Sequence, residues 1–138
     1  MANRVCTIDG GGGDVIIRLR ANNGLRAAAE LEVTDGGGAS RDKWKMASGD
    51  SGSVEHTLTG VTITVPSLEA NALRWAILVC ASIPAARAGA VDIDVLQDGK
   101  TCPLVPAAHW ALTNTPDCDS GSATPINAAL TFQLKSQA

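Results

Sequence analysis

Three groups of side chains in this 138-residue chain have the types and spacing to do chemistry: two tryptophans beside basic or imidazole groups, four cysteines, and several clustered aspartates. Arg41-Asp42-Lys43-Trp44-Lys45-Met46 is the one basic cluster that contains an aromatic ring. An indole between ammonium groups can stack on a base, a sugar or a headgroup while the cations hold an anion. His109-Trp110 offers a similar pairing in a proline-rich stretch. Lys43, Trp44, Lys45, His109 and Trp110 are therefore the candidate binding residues. The plainer arrangement has each ring packed on the protein's edge with the charges in water. Trp75 lies in an apolar run and is expected in the core.

The cysteines stand at positions 6, 80, 102 and 118, with no C-x-x-C pair. That spacing argues against zinc ribbons and thioredoxin-like redox motifs. Two disulfides are expected. Cys102–Cys118 would close the proline-rich stretch, leaving Cys6–Cys80. Strand parity opposes the second bridge, because Cys6 shares a face with Ile8 whereas Cys80 lies opposite Trp75, Ile77 and Val79. Four reduced thiols are the alternative.

Gly49-Asp50-Ser51-Gly52 resembles the nucleophile motif of trypsin-like serine proteases, in which Ser51 would be the matching serine. The resemblance covers four residues. It implies a histidine and an acid earlier in the chain, yet both histidines, His56 and His109, follow Ser51. A hydrolase using Ser51 with His56 or Asp50 is the remote reading, and no catalytic residue is assigned. Gly10 to Gly13 lack the following helix and the Gly-Lys-Ser/Thr of a phosphate loop. Asp92, Asp94 and Asp98 depart from EF-hand spacing. A zinc set of His109, Cys102, Cys118 and Asp117 would be excluded by a disulfide between its cysteines. No cofactor or metal is expected.

These residues must be held by strands. Apolar and polar residues alternate in Val15–Leu19, Ala27–Val33, Val61–Val65, Leu73–Val79, Val91–Val95 and Leu130–Leu134, the period of a chain that buries one face. Asn23-Gly24 is read as a tight hairpin turn between the second and third strands, and Asp98-Gly99 as another. Ala72 to Ser82, apolar on both faces, is expected to be central. Residues 35–53 and 103–125 are read as long irregular loops. About eight strands predict an all-β fold: an antiparallel, Greek-key, two-sheet sandwich, with a closed barrel as the alternative. Residues 1–138 are read as one domain.

Net charge is −3, so no nucleic-acid partner is expected. No run approaches the ~20 apolar residues of a spanning helix, and no leader-like segment is visible. Fourteen glycines and no tyrosine suggest a GC-rich bacterial source. The expected function is a non-enzymatic binding module, such as a surface antigen, meeting a protein or glycan through its loops. An extracytoplasmic setting is favoured over a cytoplasmic one. A structural protein assembling through sheet edges is the alternative. The sequence leaves the partner and the oligomeric state open.

Overall fold

The computed structural model describes residues 4–49, 52–58, 63–83 and 88–135. Eleven strands lie within them: β1 (Arg4–Ile8), β2 (Val15–Ala21), β3 (Leu25–Thr34), β4 (Ser40–Ala47), β5 (Ser53–Thr57), β6 (Ala72–Ala81), β7 (Gly89–Gln97), β8 (Lys100–Thr101), β9 (Leu104–Val105), β10 (Ala108–Leu112) and β11 (Thr124–Leu134). A six-stranded sheet runs β4-β3-β6-β11-β1-β9, and a second sheet runs β10-β7-β2-β5 with β8 pairing to β7. Neither path closes on itself, so the fold is the expected sandwich and not the barrel. One pairing departs from the antiparallel expectation: β1 lies parallel to β11, with Cys6 opposite Phe132.

The alternating residues do what their period requires. Val15, Ile17 and Leu19 of β2, Leu31 and Val33 of β3, Trp75, Ile77 and Val79 of β6, and Leu130 and Phe132 of β11 all face the interior and are buried. β6 sits between β3 and β11, as its apolar character predicts. Its outward residues are Arg74, Ala76, Leu78 and Cys80.

Four local expectations need correction. The segment 35–53 is not an irregular loop, because β4 occupies Ser40–Ala47 and pairs with β3. Its alternation is masked by polar residues on both faces: Asp42, Trp44, Met46 and Ser48 point inward, and Lys43, Lys45 and Ala47 outward. The segment 103–125 likewise holds β9, β10 and the start of β11. Asn23 and Gly24 do adopt positive φ, at 57° and 83°, but they do not make a hairpin. β2 pairs with β5 and β7, while β3 pairs with β4 and β6. The turn is an arch that carries the chain from one sheet to the other. Both β2 and β3 bury one face, so they meet through side chains across the core rather than through backbone hydrogen bonds. Last, Val61 and Thr62 lie outside the described residues, and Ile63 to Val65 are not in a strand. Pro66 instead opens a 3-10 turn, Pro66–Leu68. By contrast Asp98-Gly99 does join the β7–β8 hairpin, with φ of 54° and 75° and Gln97 opposite Lys100.

The glycine run after β1 is shaped by what approaches it. A Cβ on Gly12 would stand 2.6 Å from Gln97 Nε2, and one on Gly13 would stand 2.6 Å from Asp98 Oδ1. Gln97 is buried and clamps this turn. Its Oε1 accepts from the Asp9 N–H at 2.8 Å, and its Nε2 donates to the carbonyls of Asp9 at 2.7 Å and Gly13 at 3.0 Å. Gln97→Ala strips three hydrogen bonds from a partly buried turn. It is expected to cost about 1–3 kcal/mol, read as a lower urea midpoint with faster amide exchange at Asp9.

Candidate functional site

The expected binding residues divide between the two open sides of the sandwich. On one side β4 ends the six-stranded sheet and β5 ends the other. Trp44 of β4 points between them and stacks on His56 of β5, with ring centroids 4.0 Å apart and planes inclined by 14°. His56 Nε2 lies 2.9 Å from Asp42 Oδ2, and the Trp44 Nε1–H meets Met46 Sδ at 3.3 Å. Asp42, Trp44 and His56 thus join the two edge strands. Lys43 and Lys45 lie on the opposite, outward face, where Lys45 Nζ is 3.3 Å from Glu30. The motif reads as one cluster in sequence, but the strand splits it into a ring that packs inward and cations that stay wet.

Trp110 is similarly engaged. It meets Trp75 edge-on at 6.0 Å and 77°, and the Arg4 guanidinium lies 5.0 Å over its ring, within cation–π range. Its neighbour His109 faces outward from β10, with Nδ1 2.5 Å from Asp92 Oδ1. Trp75 is 3% exposed, the core position its sequence context predicts. The five candidates therefore do not converge on one surface.

His109 belongs to a charge ladder across the outer face of the five-stranded sheet. Glu55 on β5, Arg18 and Arg20 on β2, Asp92 and Asp94 on β7, and His109 on β10 follow one another in register. Arg20 Nε is 2.6 Å from Asp94 Oδ2, Arg18 Nε is 3.4 Å from the same oxygen, and Arg20 also reaches Asp92. The hydrogen bond to Asp94 raises the Arg20 pKa further above its already high ordinary value. These carboxylates are the ones an EF-hand-like reading would recruit, and here guanidinium groups hold them. Asp98 instead accepts the Gly13 N–H, at 3.1 Å to Oδ1. Among the described residues, no group of three or more His, Cys, Asp or Glu is arranged to hold a metal ion. Asp50 and Ser51 lie outside the described residues.

The cysteine pairing differs from the expectation. Cys80 is bonded to Cys118, with an S–S distance of 2.01 Å, while Cys6 and Cys102 are thiols. Neither Cys102–Cys118 nor Cys6–Cys80 forms. Cys80 points out of the sandwich, as parity indicates, and Cys118 sits in a 3-10 turn, Cys118–Ser120, beside the end of β6. The Ala81 N–H donates to the Pro116 carbonyl at 2.8 Å and brings the turn there. The zinc set loses Cys118 to this bond.

What sequence reasoning missed is the outer face of the six-stranded sheet. One register row reads Ala47 (β4), Ala28 (β3), Leu78 (β6), Pro125 (β11), apolar across four strands. The next row reads Lys45, Glu30, Ala76, Asn127, and the third reads Lys43, Glu32, Arg74, Ala129. Leu78 is 56% exposed. The alanines leave a shallow groove of about 650 Å³ beside it, lined by Ala28, Ala47, Ala76, Leu78, Glu30 and Lys45 among others. The signal was present as the apolar second face of Ala72–Ser82, but only the register shows that neighbouring strands continue it. No family model, no curated protein and no solved structure matches the chain.

Proposed function

We propose that the chain is a non-enzymatic module that binds a protein, through the outer face of its six-stranded sheet. The observation that carries this is the contrast between the two outer faces. One is covered by a ladder of mutually paired charges. The other exposes the Ala47–Ala28–Leu78–Pro125 row beside an apolar groove. Small side chains let a partner's aliphatic groups approach the sheet closely, and a contiguous exposed apolar patch marks an interaction site. The rows beside it carry both signs of charge, Lys45 with Glu30 and Lys43 with Glu32 and Arg74. That mixture suits a polypeptide surface with a compact aliphatic cluster ringed by acids and bases, more than a polyanion. A glycan platform is less well served, because the rings of Trp44 and Trp110 are both taken up by packing.

Assembly through the edges of the six-stranded sheet is also poorly served. The edge strand β4 carries Arg41, Lys43 and Lys45, and the edge strand β9 is two residues long between Pro103 and Pro106, features that discourage strand addition. The Cys80–Cys118 bond supports an oxidising, extracytoplasmic setting. No helix among the described residues is long and apolar enough to cross a membrane.

The test uses a purified partner, identified by its retention on immobilised protein, and titration calorimetry. Leu78→Glu is expected to weaken binding at least about tenfold, the effect of losing a buried interface anchor. Arg20→Ala, on the opposite face, should leave affinity within about threefold, and both variants should melt as the parent does. Equal weakening by the two variants, or weakening only by Lys100→Ala in the Asp98-Gly99 turn, overturns the proposal.

A further inference from the structure

The two remaining thiols are not isolated from each other. Cys6 lies on β1 opposite Leu104 of β9, faces the interior and is 0% exposed. Cys102 stands where the chain leaves one sheet for the other. Its N–H donates to the Val95 carbonyl at 2.7 Å, adding one more pair to the β7–β8 ladder. Paired residues share a face, so Cys102 points to the same side as Val95, which is buried. The next residue already belongs to the other sheet, for the Pro103 carbonyl accepts the Thr7 N–H at 2.9 Å. The backbone of Cys102 is thus held within one residue of the neighbour of Cys6, and its side chain packs against the same core.

Counted along β9, Cys102 is two residues before the partner of Cys6, a diagonal same-face position. Such pairs have Cα atoms about 7–8 Å apart with Cβ atoms closer, just beyond the usual disulfide span of about 4.4–6.8 Å. Residues 102 and 103 lie between strands, so a shift of about 1 Å there strains only the Cys102–Val95 and Thr7–Pro103 hydrogen bonds. The proximity also registers electrostatically. Burial first, and then the charge of Cys102, push the Cys6 thiol up to about 12. The Cys102 pKa is raised by burial and then by Asp98.

We propose that Cys6 and Cys102 form a modification site, closing into a second disulfide that joins the two sheets when the protein meets a low-molecular-weight disulfide such as oxidised glutathione. The half-buried Cys102 reacts first. Its thiolate attacks one glutathione sulfur, the glutathione S–S bond breaks, and the other half leaves as a thiolate that takes up the proton released by Cys102. The Cys6 thiolate then attacks the Cys102 sulfur, and the second glutathione leaves, taking up the Cys6 proton. Two cysteine thiols are oxidised and one glutathione disulfide is reduced to two thiols.

The experiment treats the folded full chain with oxidised glutathione and counts thiols after denaturation. The count should fall from two to zero. Trypsin without reductant should then release Val5–Arg18, Trp75–Arg87 and Thr101–Lys135 as one linked species, where before oxidation Val5–Arg18 comes off alone. Cleavage before Asp117 separates Cys102 from Cys118 and assigns the pairs. Closure should climb about tenfold per pH unit between 7 and 9, since the thiolate is the attacking form, and should raise the melting temperature by about 10 °C. Cys102→Ala, at a partly exposed position, should fold, retain Cys80–Cys118 and gain nothing from the oxidant. Two alkylatable thiols after treatment, a free Val5–Arg18 peptide, or glutathione retained on Cys102 overturns the proposal.

Discussion

Phe132→Ala is expected to lower the free energy of unfolding by about 3–5 kcal/mol, the range for truncating a buried aromatic ring. Phe132 is the chain's one phenylalanine and is 1% exposed. It sits on β11 opposite Cys6 of β1, and its backbone exchanges hydrogen bonds with the segment before β6: its N–H donates to the Asn71 carbonyl, and its carbonyl accepts the Ala70 N–H, each at 2.9 Å. These bonds fix the Cα, so the strand cannot slide inward to fill the space. Leu73 and Leu130, also buried, are held by their own register and can relax only in part. Domains of this size have a total stability of about 5–15 kcal/mol, so the loss removes a large share. Urea unfolding of Phe132→Ala and Phe132→Leu measures it, with the leucine variant recovering more than half. A loss under 1 kcal/mol for the alanine variant would mean that this region is not close-packed.

The second large effect follows from the Cys80–Cys118 bond. Opening it with the double variant Cys80→Ala/Cys118→Ala should cost about 4 kcal/mol, the chain-entropy value for a closed loop of this length, set here by a separation of 38 residues. The loss should also be local in its appearance. The turn at Cys118–Ser120 is tied to the body by the disulfide, by the Ala81–Pro116 hydrogen bond and by the Ala81–Asp117 bridge. Amide exchange should therefore rise first in residues 114–121, before β6 and β11 show any change. The same double variant leaves Cys6 and Cys102 untouched, so glutathione oxidation of those two thiols should persist in it.

These effects fall at places that the sequence makes legible to unequal degrees. The burial of Phe132, Trp75 and the inward residues of β2, β3, β6 and β7 was legible from period two alone, because a strand's side chains alternate by geometry whatever it pairs with. β4 was not, since its inward set includes Asp42 and is followed on the same side by Ser48. An aspartate bonded to His56 and a serine whose Oγ accepts the Ala27 N–H at 3.1 Å are satisfied polar groups on a core-facing side. A hydropathy pattern registers them as loop. The same strand explains the fate of the Arg41–Met46 motif. The types of its residues suggested one recognition surface, but alternate residues of a strand face apart, so Trp44 joined the interior while Lys43 and Lys45 joined the outer face.

The sequence alone determined the apolar face of β2, β3, β6, β7 and β11, the positive φ at Asn23-Gly24 and Asp98-Gly99, and that Cys6 and Cys80 point to opposite sides. Each is settled by steric preferences within a few neighbouring residues. The tertiary structure alone decided that β2 and β3 belong to different sheets, that β1 runs parallel to β11, that Cys80 meets Cys118, and that four strands line up an apolar row on one outer surface. Those outcomes depend on contacts between residues tens of positions apart. Several pairings satisfy the local pattern equally well, and only the packing of both sheets around one core selects among them.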